Sequence, residues 1–122
     1  MDFIARLPEC EGLNVDAVSA YTQVMLRDIH RKMYGDDTPY IPTYITVPRW
    51  LVPQKFKHIP DPVTELNLNL YGHPLAGLYW ATHSERIIHC HGYENAEELE
   101  CLYLNRVTKV FLIIFVDNFK LS

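Results

Sequence analysis

The run Val110-Phe111-Leu112-Ile113-Ile114-Phe115-Val116, closed by Asp117, limits the fold more than any other feature of the sequence. It is the longest apolar stretch in the chain. A membrane-spanning helix needs about 20 apolar residues, so a run of this length reads as a buried strand. Such a strand needs a core around it. The chain has 122 residues, 48% of them hydrophobic, which is the size and apolar content of one ordinary domain, and no linker divides it.

Upstream of that strand, Cys101 to Leu104 predicts an antiparallel partner, the two joined near Asn105-Arg106. At the other end of the chain, Leu13-Asn14-Val15 predicts a short strand arriving at Asp16. Apolar residues Val18, Tyr21, Met25, Ile29 and Met33 recur at three- and four-residue steps, which predicts a helix from Val18 to about Met33. The cluster Gly35-Asp36-Asp37-Thr38-Pro39 ends it. Tyr40 to Val47 predicts a strand stopped by Pro48. Residues 48–62 hold four prolines and read as an extended loop. Val63 to Leu70 predicts a further strand, with apolar/polar alternation from Leu66 on. Pro74 and Gly92 suit the first position and the far end of a second helix, with Leu75, Leu78, Tyr79, Thr82 and Ile87 turned to a core. An acidic stretch follows (Glu94, Glu97, Glu98, Glu100). This order of elements predicts an α+β fold with a largely antiparallel sheet.

Charge narrows the function. Acids outnumber bases fifteen to eleven and the formal net charge is −4, which argues against a stand-alone basic nucleic-acid binder. One segment departs from that balance. Between Asp37 and Asp61 there is no acid, while Arg49, Lys55 and Lys57 are interleaved with Tyr40, Tyr44, Trp50 and Phe56. Cations among aromatic rings suit a nucleic-acid backbone and its bases; they also suit a solvated loop. Three cysteines (Cys10, Cys90, Cys101) are an odd count, which argues against a closed disulfide framework, and the expected setting is reducing and intracellular, with the cytoplasm the one compartment named. The first residues, Met1-Asp2-Phe3-Ile4, have an acid where a signal peptide carries positive charge. No membrane partner is expected. His83, His89 and His91, with Cys90 and Cys101, match no standard zinc spacing and read as a helix surface. No Walker loop, dinucleotide glycine fingerprint or hydrolase elbow is present.

Two aspartates stand out by placement. Asp16 follows a short apolar strand, and Asp117 terminates the most hydrophobic one. Carboxylates on adjacent strand ends are a common way to present divalent cations that bridge substrate phosphates. Asp is equally common as a helix N-cap and as a turn residue, and on spacing alone both uses stay open.

These features fall into a known order. Leu13-Asn14-Val15-Asp16-Ala17-Val18-Ser19-Ala20-Tyr21 resembles the first palm motif of reverse transcriptases from copia-type LTR retrotransposons. Tyr44-Ile45-Thr46-Val47-Pro48 is similar to that family's strand leading into a proline. Leu70-Tyr71-Gly72, with Trp80 nine residues after Tyr71, resembles its LYG…W segment. Phe115-Val116-Asp117-Asn118 resembles its hairpin motif, in which two aspartates stand side by side. The resemblance runs from about residue 13 to the end of the sequence.

The resemblance implies a polymerase-palm-like antiparallel sheet with packed helices, in truncated form. It implies that Asp16 and Asp117 hold Mg²⁺, with the Ala17 carbonyl nearby and Asn118 in the place of the second hairpin aspartate. Tyr21 would lie under the sugar of the incoming dNTP, and Gly72 would let backbone approach the nucleotide. The implied partners are a primer–template and a dNTP, bound by an intact parent Pol polyprotein. Three departures matter: Asn118 removes a negative charge, His73-Pro74-Leu75-Ala76 replaces the family's Lys-Gln-(Ala/Ser)-Pro run, and Ala17 replaces a valine. With fingers and thumb expected to be missing, the implied fragment has little or no polymerase activity by itself. The alternatives are a non-catalytic retroelement remnant and a small α+β interaction module. A palm would also make the strand Lys109–Val116 central, with its hairpin partner expected to be cut off after Ser122.

Overall fold

A computed structural model describes residues 6–96 and 99–122. The elements in chain order are β1 (Leu13–Asp16), α1 (Leu26–Tyr34), β2 (Tyr44–Thr46), β3 (Val63–Glu65), α2 (Ala76–Cys90), β4 (Tyr93–Ala96), β5 (Leu99–Asn105), β6 (Val110–Phe115) and β7 (Asn118–Leu121). Five strands form one antiparallel sheet in the order β1-β7-β6-β5-β4, and β2 and β3 form a separate two-stranded ribbon. The α+β class with a largely antiparallel sheet is as expected. Glu97 and Glu98 of the acidic stretch lie outside the described residues. Among the described residues no helix is long and apolar enough to cross a membrane.

The apolar run forms β6, and the expectation that its hairpin partner is cut off is wrong. β7 turns back along it, pairing Ile114 with Phe119 and Leu112 with Leu121, while β5 pairs with its other edge. Asn118-Phe119-Lys120-Leu121 alternates polar and apolar residues, the pattern of a strand with one covered face. Phe111 and Ser122 exchange two backbone hydrogen bonds and lengthen the ladder by one residue. Leu112 is buried, but Phe115 is exposed, so β6 is not buried along its whole length.

The expected helix from Val18 is in two pieces. Ala20–Gln23 forms a 3₁₀ turn; Val24 is extended, and α1 begins only at Leu26. The break has a tertiary cause. The Leu26 N–H donates to Asn67 O, the Asn69 N–H donates to Val24 O, and Met25 bridges to Leu68. Backbone pairing across to residues 67–69 outweighs the local helical pattern. Ala20, Val24, Leu26 and Ile29 are buried in consequence, while Val18 and Met25 are exposed. The same pairing inverts the alternation read after Leu66: Asn69 is fully buried, and Leu68 and Leu70 are exposed. The strand expected over Tyr40–Val47 shrinks to Tyr44–Thr46, since Pro42 has no N–H for a ladder.

α2 keeps its expected limits within two residues, with Gly92 just past its end at φ +80. Its buried face is different. Ala76, Trp80, Ser84 and Ile88 recur at four-residue steps and, with Tyr79, face inward, while Leu75, Leu78 and Ile87 are exposed. The indole is the largest side chain on the helix, and its burial sets the rotation. One core cluster joins α1 and α2 through Leu26, Ile29, Tyr79 and Trp80; the other joins α2 to the sheet through Ile88, Tyr103 and Leu112. Phe119 of β7 packs against both. At roughly 1.5–3 kcal/mol for each large side chain buried, these clusters hold α2 and β7 in fixed relation.

Candidate active site

The register of β1 on β7 places the first of the two aspartates. Asp16 stands directly opposite Asn118, and the Ala17 N–H donates to the Asp117 backbone carbonyl at 2.7 Å. Residues opposite each other in an antiparallel pair share a face, with Cβ atoms about 5 Å apart. The Asp16 carboxylate and the Asn118 amide are therefore neighbours. Asp16 caps no helix, because the 3₁₀ turn that follows has Ser19 at its cap.

The second aspartate sits in the turn between β6 and β7. Phe115 pairs with Asn118, so Val116 and Asp117 are the two central residues. Val116 has φ +58, in the left-handed region that a β-branched side chain rarely adopts. Its carbonyl accepts a hydrogen bond from the Trp80 indole N–H. Such strain is sustained only where surrounding contacts hold it. Here α2 supplies the contact, and the turn that results projects Asp117 beside Asn118. The Asn118 amide donates to Asp117 Oδ1 at 3.2 Å.

Tyr71 completes the group. Its hydroxyl faces Asp117 Oδ2 at 3.5 Å, and its ring lies 4.2 Å, centroid to centroid, from that of Tyr21, tilted by 47°. The Tyr71 phenol is pushed above its ordinary range by desolvation, then by the Asp117 charge, the Tyr21 ring, the hydrogen bond to Asp117 and the Asp16 charge. One hydroxyl thus feels both aspartates. Asp16, Ala17, Tyr21, Asp117 and Asn118 are brought together, and Gly72 follows Tyr71 directly. Gly72 has φ +93 and open space where a Cβ would stand, so the turn after Tyr71 requires glycine for its backbone conformation.

Two positioning residues were not legible as such. Asn69, fully buried, donates from its side chain to Ala76 O at 2.9 Å and accepts from the Leu70 N–H at 3.1 Å. It fixes the strand-like segment before Tyr71 to the start of α2. Trp80 belongs to a motif quoted above, yet nothing local announces its bond to Val116. A cleft of about 490 Å³ opens beside the site, lined by Tyr21, Trp80, Ser84, Glu85, Tyr103 and Val116.

The donor set is carboxylate and amide oxygen, suited to hard divalent cations; Mg²⁺ commonly takes only one or two carboxylates and completes its shell with water and phosphate. Among the described residues no group of three or more His, Cys, Asp or Glu is placed to hold a metal ion. His89 and His91, at the end of α2, are engaged elsewhere: His89 Nδ1 lies 2.8 Å from Tyr93 O, and His91 Nδ1 lies 2.7 Å from Ile87 O. Cys10, Cys90 and Cys101 are free and exposed. Comparison with known protein families, with curated proteins and with solved structures gave no match.

Proposed function

We propose that this chain carries the palm catalytic centre of a copia-type reverse transcriptase, an RNA-directed DNA polymerase, weakened by Asn118. The observation that carries the reading is the placement of Asp16 and Asp117 on neighbouring strand ends, joined through the Asp16–Asn118 register. An antiparallel sheet with its helices packed through α2 is the frame such a centre needs.

Mg²⁺ fits the oxygen donors of Asp16 and Asp117; when bound, it neutralises phosphate charge and activates the primer 3′-hydroxyl. The chain's own side chains have separate tasks. Asp16 and Asp117 would hold the ion, while Tyr71 and Asn118 contact the Asp117 carboxylate at its two oxygens. The Tyr21 ring, braced on Tyr71, forms the floor for the sugar of a dNTP. Phosphoryl transfer depends on positioning and charge neutralisation, and neither task needs a nucleophilic side chain. Asn118 lowers the negative charge that attracts the cation. A net charge of −4 opposes a polyanionic primer–template, so the chain alone extends no primer.

Mn²⁺ titration followed by electron paramagnetic resonance tests this. A divalent ion about 4 Å from a carboxylate gains roughly 2 kcal/mol even at the dielectric of water, a factor of ~30 in affinity. Asp16→Asn and Asp117→Asn should each weaken binding by about that factor, and Asn118→Asp should tighten it. Equal affinity across the four proteins would refute the shared site. The Tyr71 phenol gives a second readout: in Asp117→Asn its titration should move down toward that of an ordinary tyrosine, because the Asp117 charge that helps raise it is lost while desolvation remains.

A further inference from the structure

The cation-and-aromatic segment identified in the sequence forms the connection between β2 and β3. The Val47 N–H donates to Pro62 O at 2.9 Å and closes its base. Within it, the Arg49 guanidinium donates to Ile59 O and Lys57 O, both at 2.7 Å. Two 3₁₀ turns, Arg49–Leu51 and Gln54–Phe56, follow prolines, and Val52 is buried as an anchor. Residues 48–61 thus form a compact loop tied by its own arginine. On that loop Trp50 is 81% exposed, and the Lys55 ammonium lies 4.7 Å from the centre of the Phe56 ring.

We infer that this loop is a docking platform for single-stranded nucleic acid, with Trp50 stacking on a base, Lys55 and Lys57 facing phosphates, and Arg49 tying the loop from within. The reasons are chemical. An exposed indole is a poor use of apolar surface unless something covers it, and a base offers a flat ring of matching size. Three cations occur in a segment without one acid, in a chain whose net charge is −4. A polyanion would therefore approach this face in preference to the rest. A membrane-seeking loop carries its rings ahead of its cations; here Lys55 lies over the Phe56 ring, so charge and aromatic surface are presented together. The Arg49 fork fixes the platform before the ligand arrives, which lowers the ordering cost of binding. The proposal stands apart from the catalytic reading, which Mn²⁺ binding tests separately.

Anisotropy of a labelled oligothymidylate, titrated with the whole chain, is the test. Two phosphate contacts on a single strand give a salt slope of about −1.4, so affinity should fall ~7-fold from 50 to 200 mM salt. Trp50→Ala should weaken binding by ~10-fold or more, the value of one stacked base. Lys55→Ala with Lys57→Ala should flatten the slope to near zero. Arg49→Lys keeps the charge but loses the fork, and should weaken binding with the slope unchanged. Trp50 fluorescence should be quenched, while Trp80 is buried and reports the intact fold. Unsaturable binding at 50 mM salt, or Trp50→Ala equal to the parent, would overturn the proposal. So would competition by polyphosphate as strong as by oligothymidylate, or Trp50 responding to phosphatidylserine vesicles in place of the oligonucleotide.

Discussion

Replacing Trp80 with Phe tests whether α2 holds the strained turn that presents Asp117. Trp80 is 5% exposed, and its indole N–H is bonded to the carbonyl of Val116, the residue at φ +58. Phenylalanine keeps a ring in the core but loses the donor and part of the indole volume. The lost hydrogen bond is worth about 1 kcal/mol net, at the low end because Val116 is 44% exposed and water can reach its carbonyl. The smaller ring leaves unfilled space costing about another 1–1.5 kcal/mol. The sum, roughly 2–2.5 kcal/mol, corresponds to a fall in Tm of about 10 °C for a domain of this size. With the turn released from α2, Asp117 loses its fixed direction, and Mn²⁺ affinity should fall by roughly tenfold as well. Thermal melts followed by circular dichroism give the first quantity, and the paramagnetic titration gives the second. A Tm within about 2 °C of the parent would refute the energetic argument. A full loss of stability with unchanged Mn²⁺ affinity would show that Trp80 supports the core and leaves Asp117 where it was.

Two further outcomes follow from buried polar groups. Asn69→Ala should cost about 2–4 kcal/mol in a urea melt, since it removes the buried hydrogen bond to Ala76 O, takes the acceptor from the part-buried Leu70 N–H and leaves a cavity; a cost below about 1 kcal/mol would contradict that accounting. The His83 imidazole is held below its ordinary value by burial first, then by the Lys32 and Arg86 charges. A lowered folded value means that its contribution to stability is complete above about pH 6.5 and is lost as pH falls through the folded pKa. His83→Gln should therefore flatten the loss of Tm between about pH 7 and pH 5, and an unchanged acid limb would assign that loss to other groups.

Local chemistry made part of this fold legible. The limits of α2 follow from Pro74 and Gly92, and β6 follows from an unbroken apolar run. Asp16 and Asp117 stand out as carboxylates at strand ends, but on spacing alone a helix cap and a turn residue stay open, and only the resemblance pairs them; the register sets Asp16 opposite Asn118. What escaped is non-local. The break at Val24-Met25 exists because residues 67–69 pair with it, so no window on either segment contains the cause. Asn69 sits in an alternation that reads as apolar-in and polar-out, yet its amide is needed to fasten the start of α2, and the pattern turns over. β4 carries Glu94 and Asn95 and has little strand propensity; its pairing with β5 makes it a strand. The role of Tyr71 depends on a carboxylate 46 positions further on.

The pairing of β1 with β7 has a kinetic meaning. β1 is the edge strand of the sheet, its four residues are exposed, and its ladder runs only to β7, so little burial holds it closed. β1 should accordingly be the segment whose amides exchange with solvent through the smallest opening, well before α2 or β6 gives up its protons. Each such opening carries Asp16 away from Asp117 while the rest of the sheet stays closed. A cation held by both carboxylates would act as a reversible cross-link on that edge, and slowed exchange at Val15 and Ala17 would report its arrival.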